Sequence, residues 1–282
     1  MLKRFLNLKA VFRRALLSSE EKEHWNTRGF LVLKGFFSAE KIDGFLEESH
    51  RVWRNRTTEA GNITIDVLEG ELKGQRILMR DAPDSVLNHA HKVNDLFLDL
   101  ESCRSLNLDI RLSRILGKLL DGKPAVINSL SFIKGSQQPF HFDTYFMPPP
   151  VRHRMVVSSI CLEDQTNDSG PLTYFPGSQK IEPWVFDHGG INAMDNNLEQ
   201  ASSYATDQIS RLNLEQETFV GDKGDVFIWH SQLYHGGMPI NNPKKTRRTL
   251  VTHYWRSQDL EDQLIKPYSD SGDYMRREHP QL

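Results

Sequence analysis

The sequence predicts a mainly β fold with flanking helices, of the sandwich or jelly-roll type. Short runs of β-branched and aromatic residues dominate the chain after residue 122, and Gly, Pro, Asn and Asp separate them. Such spacing is typical of antiparallel sheets that pack face to face. The runs are residues 125–133, 155–162, 172–175, 225–229 and 249–255. Residues 185–220 form a polar insertion with one short helix expected near 197–210, and insertions of this size often cover a site.

The first 120 residues alternate between helical and extended patterns. Ser18 and Glu21 have the spacing of a capping box and predict a helix that stops at Gly29. The elements predicted after it are a buried strand over residues 30–36, a helix over 38–53, short strands over 63–68 and 76–79, and helices over 84–100 and 105–120. All but one of the expected helices therefore lie before the β-rich part of the chain.

Length and composition indicate one globular domain. The 282 residues include 26% charged residues, and the formal net charge of −2 gives no long-range attraction to nucleic acid. We expect the domain to span residues 18–260, between an N-terminal segment, 1–17, and a C-terminal tail, 261–282. Only Cys103 and Cys161 are present, too few for a disulfide framework, which favours a reducing, cytoplasmic location.

The N-terminal segment is basic and amphipathic. Residues 2–17 contain five Lys or Arg residues and no acid, and Leu and Phe alternate with them. No stretch approaches the roughly 20 apolar residues of a membrane span. The favoured interpretation is a helix that covers one face of the protein's own barrel. The alternative is a helix that lies on an anionic membrane surface.

Three residues far apart in the sequence have the composition of a metal site. His141 and Asp143 would lie on one face of a strand because side chains alternate with period two, and His235 could complete the ligand set. Two imidazoles and one carboxylate leave one face of an octahedral ion open, as non-haem iron(II) oxygenases require. A second close pair, His89 and His91, is expected on the surface of a helix. Two further histidines, His230 and His253, are expected to be structural.

A wider set of motifs resembles the phytanoyl-CoA dioxygenase family of iron(II)/2-oxoglutarate oxygenases. The resemblance covers about residues 18–256, in the order found in that family. Its segments are residues 29–36 (GFLVLKGF), 139–143 (PFHFD), 168–172 (DSGPL), 175–179 (FPGSQ) and 224–230 (GDVFIWH), followed by His235, Gly236 and Arg247.

The resemblance implies a double-stranded β-helix that binds Fe²⁺ through His141, Asp143 and His235, with 2-oxoglutarate and O2 as cosubstrates. It implies that Arg247 grips the distal carboxylate of 2-oxoglutarate, with Arg248 as its one competitor. Further cosubstrate contacts are expected from Ser159, Asn128 and Leu130. One departure is Gly237, where members of the family often carry Ser.

The expected reaction is hydroxylation of an unactivated C–H bond in a small organic metabolite or natural-product intermediate, with release of succinate and CO2. Asp143 argues against halogenation, since related halogenases lack the carboxylate. Desaturation, epoxidation and ring formation use the same ligands and stay open as alternatives to hydroxylation. Tyr145, Arg154 and Trp184 are expected to contact the substrate, and the basic cluster at Arg152 and Arg154 suggests an anionic one. The alternatives are a non-oxidative metal enzyme of the cupin type, or a membrane-associated binding protein with a vestigial site.

Overall fold

Two mainly antiparallel sheets face each other in the computed structural model, which describes residues 17–194 and 198–277. The larger sheet runs β1-β9-β6-β11-β5-β4-β2-β3, and β12 and β13 join it beside β5; the smaller sheet runs β10-β7-β8. The strands are β1 (Phe30–Leu33), β2 (Thr64–Val67), β3 (Arg76–Leu78), β4 (His91–Asn94), β5 (Pro124–Phe132), β6 (Met155–Cys161), β7 (Leu172–Tyr174), β8 (Glu217–Phe219), β9 (Val226–His230), β10 (His235–Gly237), β11 (Thr249–Arg256), β12 (Ile265–Ser269) and β13 (Gly272–Met275). The predicted mainly β fold is confirmed.

Helices flank the larger sheet, chiefly before β5. They are α1 (Ser19–Arg28), α2 (Ala39–Arg54), α3 (Arg56–Glu59), α4 (Glu101–Asn107), α5 (Ile110–Leu120) and α6 (Glu199–Arg211). The capping box of α1 is confirmed: the Ser18 hydroxyl accepts from the Glu21 amide, and the Glu21 carboxylate accepts from the Ser18 amide. Gly29 ends that helix at φ 82°, a left-handed conformation that glycine adopts at little cost.

The predicted helix over residues 84–100 is wrong. A 3₁₀ turn (Asp84–Asn88) and a second one (Leu96–Leu98) enclose strand β4 instead. Antiparallel pairing with β2 on one side and β5 on the other outweighs the local helical pattern. His91, expected on a helix surface, is therefore buried in a strand.

The predicted helix over residues 105–120 is divided in two. Asp109 starts the second part, α5, where its carboxylate accepts a hydrogen bond from the amide of Arg111. An Asp at this position caps a helix N-terminus and so favours a new start over continuation of the helix before it.

The C-terminal segment contributes to the sheet. Residues 261–282, set apart in sequence as a tail, contain the β12–β13 hairpin, and β13 runs parallel to β5. Arg277 follows this hairpin and reaches the carboxylate of Asp95. The N-terminal segment 1–17, with its expected amphipathic helix, lies outside the described residues apart from Leu17. No helix among the residues described is long and apolar enough to cross a lipid bilayer.

Aromatic side chains hold the two sheets together. Phe227 of β9 in the larger sheet is fully buried, and its ring lies 4.9 Å from that of Tyr174 and 4.8 Å from that of Phe219, both in the smaller sheet. Phe30 of β1 stacks on Phe227 at 5.3 Å and lies 4.9 Å from Tyr174. Burial of these rings between the sheets fixes their separation and therefore the width of the space beside them.

We expect Phe227→Ala to destabilise the protein by about 3 to 5 kcal/mol, because the buried ring would leave a cavity between the sheets. Chemical denaturation followed by circular dichroism measures the change. The control is Val32→Ala on the exposed side of β1, which we expect to change stability by less than about 1 kcal/mol. Equal stability of the two variants would contradict this view of the core.

Candidate active site

A short antiparallel bridge brings two distant segments together. The amide of His141 donates to the carbonyl of His235 at 2.9 Å, and the amide of His235 donates to the carbonyl of His141 at 3.1 Å. The predicted strand ends at this bridge, because Asp143 begins a 3₁₀ turn (Asp143–Tyr145). The prediction that His141 and Asp143 lie on one continuous strand is therefore wrong. The side chains of His141, Asp143 and His235 nevertheless converge.

The three side chains form a compact, buried group. Oδ1 of Asp143 lies 3.6 Å from Nε2 of His141 and 3.7 Å from Nε2 of His235. One ligand atom from each residue lies within 4.8 Å of the other two. Metal–ligand bonds of about 2 Å need ligand atoms at about this separation, so one ion can contact all three.

Backbone and indole groups orient the three side chains. Nδ1 of His141 lies 2.7 Å from the carbonyl oxygen of Pro139, and Nδ1 of His235 lies 2.8 Å from that of Leu233. Donation to these carbonyls places the proton on Nδ1 and leaves Nε2 as the ligand atom. The indole Nε1 of Trp229 donates to Oδ2 of Asp143 at 2.8 Å, which leaves Oδ1 for a metal.

Burial sets the ionisation that a metal requires. Desolvation lowers the pKa of His235 to about 4, so its imidazole is neutral at pH 7. Burial alone would raise the pKa of Asp143, but the neighbouring imidazoles of His235, His141 and His253 hold it well below its usual range. A neutral imidazole beside an ionised carboxylate is the state that binds a metal without first losing a proton.

His253 was expected to be structural, and it lies at this site. Its Nε2 is 3.5 Å from Oδ1 of Asp143, and the side chain is buried. Its Nδ1 has no hydrogen-bond partner among the residues described. Alternation along β11 could have indicated this position, because Val251 and His253 share one face of the strand and both line the same cavity.

A cavity of about 510 Å³ opens from the three residues along the inner face of the larger sheet. This is within the usual volume of a small-molecule site. All four predicted cosubstrate residues line it, namely Asn128, Leu130, Ser159 and Arg247. Cross-strand register explains the convergence of two of them, because Leu130 on β5 and Ser159 on β6 both pair with Val251 of β11.

The two adjacent arginines face opposite ways. Arg247 is only 5% exposed and lines the cavity, whereas Arg248 lies 3.7 Å from the carboxylate of Glu163 and lines a separate space on the other side of the sheet. Burial lowers the pKa of Arg247 to about 10, so the guanidinium is charged at pH 7. Among the described residues no carboxylate pairs with it, and its Nε has no hydrogen-bond partner.

The family comparison confirms the resemblance seen in the motifs. The sequence model described as phytanoyl-CoA dioxygenase (PhyH) matches residues 25–249. This chain belongs to the phytanoyl-CoA dioxygenase family. The peroxisomal phytanoyl-CoA dioxygenase of Rattus norvegicus is 24% identical over 254 residues, which are 86% of this chain and 69% of that protein. The enzyme of Homo sapiens is 23% identical over 259 residues, which are 85% and 68% of the two chains.

Solved structures show the same fold at low identity. The non-heme alpha ketoglutarate dependent carbocyclase SnoK from nogalamycin biosynthesis has a TM-score of 0.64, with 18% identity over 86% of each chain. EctD from S. alaskensis with bound Fe has a TM-score of 0.63, with 17% identity over 87% of this chain and 79% of that one. The epimerase SnoN in complex with Fe3+, alpha ketoglutarate and nogalamycin RO has a TM-score of 0.59, with 16% identity over 96% and 95%. The jelly-roll prediction is confirmed.

The structure does not bring the three expected substrate residues into the cavity of this PhyH-family protein. Tyr145 is buried in an aromatic cluster beside α6, where its hydroxyl accepts from the amide of Trp184 at 3.1 Å. Arg154 donates to the carbonyl of Leu120 at 3.1 Å. Among the described residues, none from the insertion 185–220 lines the cavity, so the insertion covers this cluster instead.

The cavity is also lined by several charged residues that the sequence analysis did not predict. Asp66 on β2 lies between Arg76 on β3 and Lys92 on β4, directly opposite each across the sheet. Its carboxylate accepts from Arg76 at 2.5 and 2.9 Å and pairs with Lys92 at 2.9 Å. Alternation along β4 would have indicated Lys92, had that segment been recognised as a strand.

We expect Trp229→Phe to weaken divalent-metal binding about 10- to 100-fold, because the carboxylate of Asp143 loses the donor that orients it. Isothermal titration with Co²⁺ or Mn²⁺ measures the affinity. Trp255→Phe is the matched control, since the indole of Trp255 donates to the sulfur of Met155 and not to a site residue. Unchanged affinity in a folded Trp229→Phe protein would refute the positioning role of the indole.

Proposed function

We propose that this protein is an iron(II)- and 2-oxoglutarate-dependent dioxygenase that hydroxylates an unactivated C–H bond of a small organic metabolite or natural-product intermediate. The observation that carries the proposal is Arg247. A buried guanidinium without a carboxylate partner among the described residues is costly unless a ligand supplies the charge. Arg247 lines the same cavity as His141, Asp143 and His235. A metal and a dicarboxylate together satisfy both features.

The donor set fits iron(II). His141, Asp143 and His235 would hold the ion through Nε2, one carboxylate oxygen and Nε2, a ligand set that suits iron(II), and the ion would be accessible from the cavity that these residues line. When bound, iron(II) and 2-oxoglutarate activate O2: one oxygen atom enters the substrate C–H bond as hydroxyl, the other enters succinate, and CO2 is released. The protein positions the reactants and limits side reactions.

The cosubstrate would extend from the metal to Arg247. We assign its distal carboxylate to the planar fork of this guanidinium, which suits bidentate pairing. Ser159, Asn128 and Leu130 would contact it along the sheet. Gly237, at the position where relatives often have Ser, has no side chain to add a hydrogen bond, so Arg247 and Ser159 would carry the polar contacts.

Hydroxylation is favoured over halogenation because Asp143 occupies the ligand position that a halide would need. SnoK is described as a carbocyclase and SnoN as an epimerase, and such reactions use the same cofactors. Hydroxylation requires only a positioned C–H bond beside the metal and cosubstrate, and it is therefore the proposed reaction.

Two other functions are less well supported. A non-oxidative cupin-type metal enzyme would have no use for the buried charge of Arg247. A membrane-associated protein with a vestigial site would not require the orienting hydrogen bonds at His141, His235 and Asp143. We also propose a cytoplasmic location, in keeping with the two free thiols of Cys103 and Cys161, which are both buried.

We expect purified protein with Fe²⁺ to convert 2-oxoglutarate to succinate in air, and expect Asp143→Ala and His235→Ala to reduce this turnover to background. Loss of one metal ligand removes the ion or its geometry. Succinate is quantified by liquid chromatography with mass spectrometry. His50→Ala, at an exposed histidine on α2, is the control and should retain activity. Equal turnover by wild type and Asp143→Ala would refute the proposed reaction.

We expect Arg247→Met to raise the dissociation constant of 2-oxoglutarate about 100-fold, because a charge-assisted hydrogen-bond pair contributes about 1.5 to 3 kcal/mol. Anaerobic titration of the iron(II)-loaded protein, followed by the visible charge-transfer absorption of the chelate, gives this constant. Arg248→Met, the adjacent arginine that faces away, should bind 2-oxoglutarate as wild type does. The opposite pattern, with Arg248 sensitive and Arg247 not, would reverse the assignment.

A further inference from the structure

One cationic side chain of the cavity, Arg277, follows the C-terminal hairpin and lies outside the segment that the family model matches. That match ends at residue 249, whereas β13 ends at Met275 and Arg277 lines the cavity two residues later. The parallel pairing of Tyr274 with Val126 places the end of β13 beside the middle of β5. Arg277 therefore lies outside the part of the chain that the family model matches.

Hydrogen bonds fix the Arg277 guanidinium beside a buried carboxylate. Its Nη1 donates to Oδ2 of Asp95 at 2.9 Å, and its Nη2 donates to the carbonyl of Ile127 at 3.1 Å and contacts the sulfur of Met275 at 3.7 Å. Asp95 is fully buried, whereas the Arg277 side chain is 33% exposed. A guanidinium carries five N–H donors, so these bonds hold its plane and leave donors for a ligand in the cavity.

A short chain of contacts connects Arg277 to the metal-binding group. Oδ1 of Asp95 accepts from Nδ2 of Asn128 at 3.0 Å, and Asn128 on β5 lies opposite His253 on β11. Nε2 of His253 is in turn 3.5 Å from Asp143. Opposed residues in a sheet lie about 5 Å apart, so Arg277 lies on the order of 10 Å from the metal ligands. A small molecule can span that distance.

The charge of the cavity favours an anion. Among the described residues that line it, four are cationic (Arg76, Lys92, Arg247 and Arg277) and three are anionic (Asp66, Asp95 and Asp143), which leaves one positive charge in surplus when the histidines are neutral. The two positive charges of iron(II) balance the two negative charges of 2-oxoglutarate. The surplus therefore remains in the loaded cavity, where a substrate with one negative charge would neutralise it.

We propose that Arg277 binds a carboxylate, sulfate or phosphate group of the primary substrate, which is thus a small organic anion. This proposal rests on the proposed oxygenase function. It places anion recognition on the C-terminal hairpin, and not on the basic cluster at Arg152 and Arg154. Arg152 forms an ion pair with Glu182, and Arg154 bonds to backbone at Leu120, both away from the cavity.

The test uses inorganic phosphate and protein loaded with Mn²⁺ and 2-oxoglutarate. Phosphate held near the paramagnetic ion relaxes faster, so ³¹P relaxation titrations give both its affinity and its proximity to the metal. In wild type we expect a saturable enhancement of the ³¹P relaxation rate. In Arg277→Met we expect the affinity for phosphate to fall at least about tenfold, because one cationic group near the anion is lost. Arg277→Lys should recover part of the affinity, and Arg152→Met, the matched control, should bind phosphate as wild type does.

Phosphate binding that is absent in wild type, or equally strong in Arg277→Met, would overturn the proposal. A loss of 2-oxoglutarate affinity in Arg277→Met as large as the loss for phosphate would also overturn it, because general damage to the cavity would then be the cause. Mn²⁺ and 2-oxoglutarate binding are measured first, so their failure counts against the proposed function alone. In that event calorimetry with phosphate on the metal-free variants tests the anion site by itself.

Discussion

The antiparallel bridge between His141 and His235 is the constraint on which the site depends. It brings together residues that are 94 positions apart and sets the direction of both imidazoles. Close backbone approach is required, because a Cβ at Gly236 would lie 3.1 Å from the carbonyl oxygen of Gln138, and one at Gly237 would lie 2.9 Å from the amide nitrogen of Gln137. The two glycines after His235 therefore permit the bridge. Gly237 departs from the family pattern, and its close approach to Gln137 gives a structural reason for that departure.

Around this bridge, the protein places uncompensated charge at two points in one cavity. Oδ1 of Asp143 has three imidazoles near it, and the Arg247 guanidinium has no carboxylate beside it among the described residues. Burying such groups lowers the stability of the folded chain unless ligands complete them. The interior is thus organised for a cation at one point and a carboxylate at the other. A purely structural role would not explain why Arg247 has no carboxylate partner among the described residues, or why three imidazoles gather around one oxygen of Asp143.

Sequence reasoning found what local pattern and motif encode. The strands from residue 125 onward follow from the β-branched and aromatic runs, and the capping box follows from the spacing of Ser18 and Glu21. The convergence of His141, Asp143 and His235 and the inward direction of Arg247 follow from the family motifs. It failed where tertiary pairing decides. Residues 91–94 read as helix but pair with two strands, which concealed Lys92, and Arg277 enters the cavity only because β13 joins β5. Tyr145 was misplaced because the strand ends at Asp143, and alternation no longer applies in the 3₁₀ turn that follows.

The most direct test of the central claim is an anaerobic crystal structure with Mn²⁺, as an inert substitute for iron(II), and 2-oxoglutarate. Our account predicts one ion bound by His141, Asp143 and His235, with the far carboxylate of the cosubstrate on Arg247. An ion bound elsewhere, or a cosubstrate that leaves Arg247 unpaired, would contradict it.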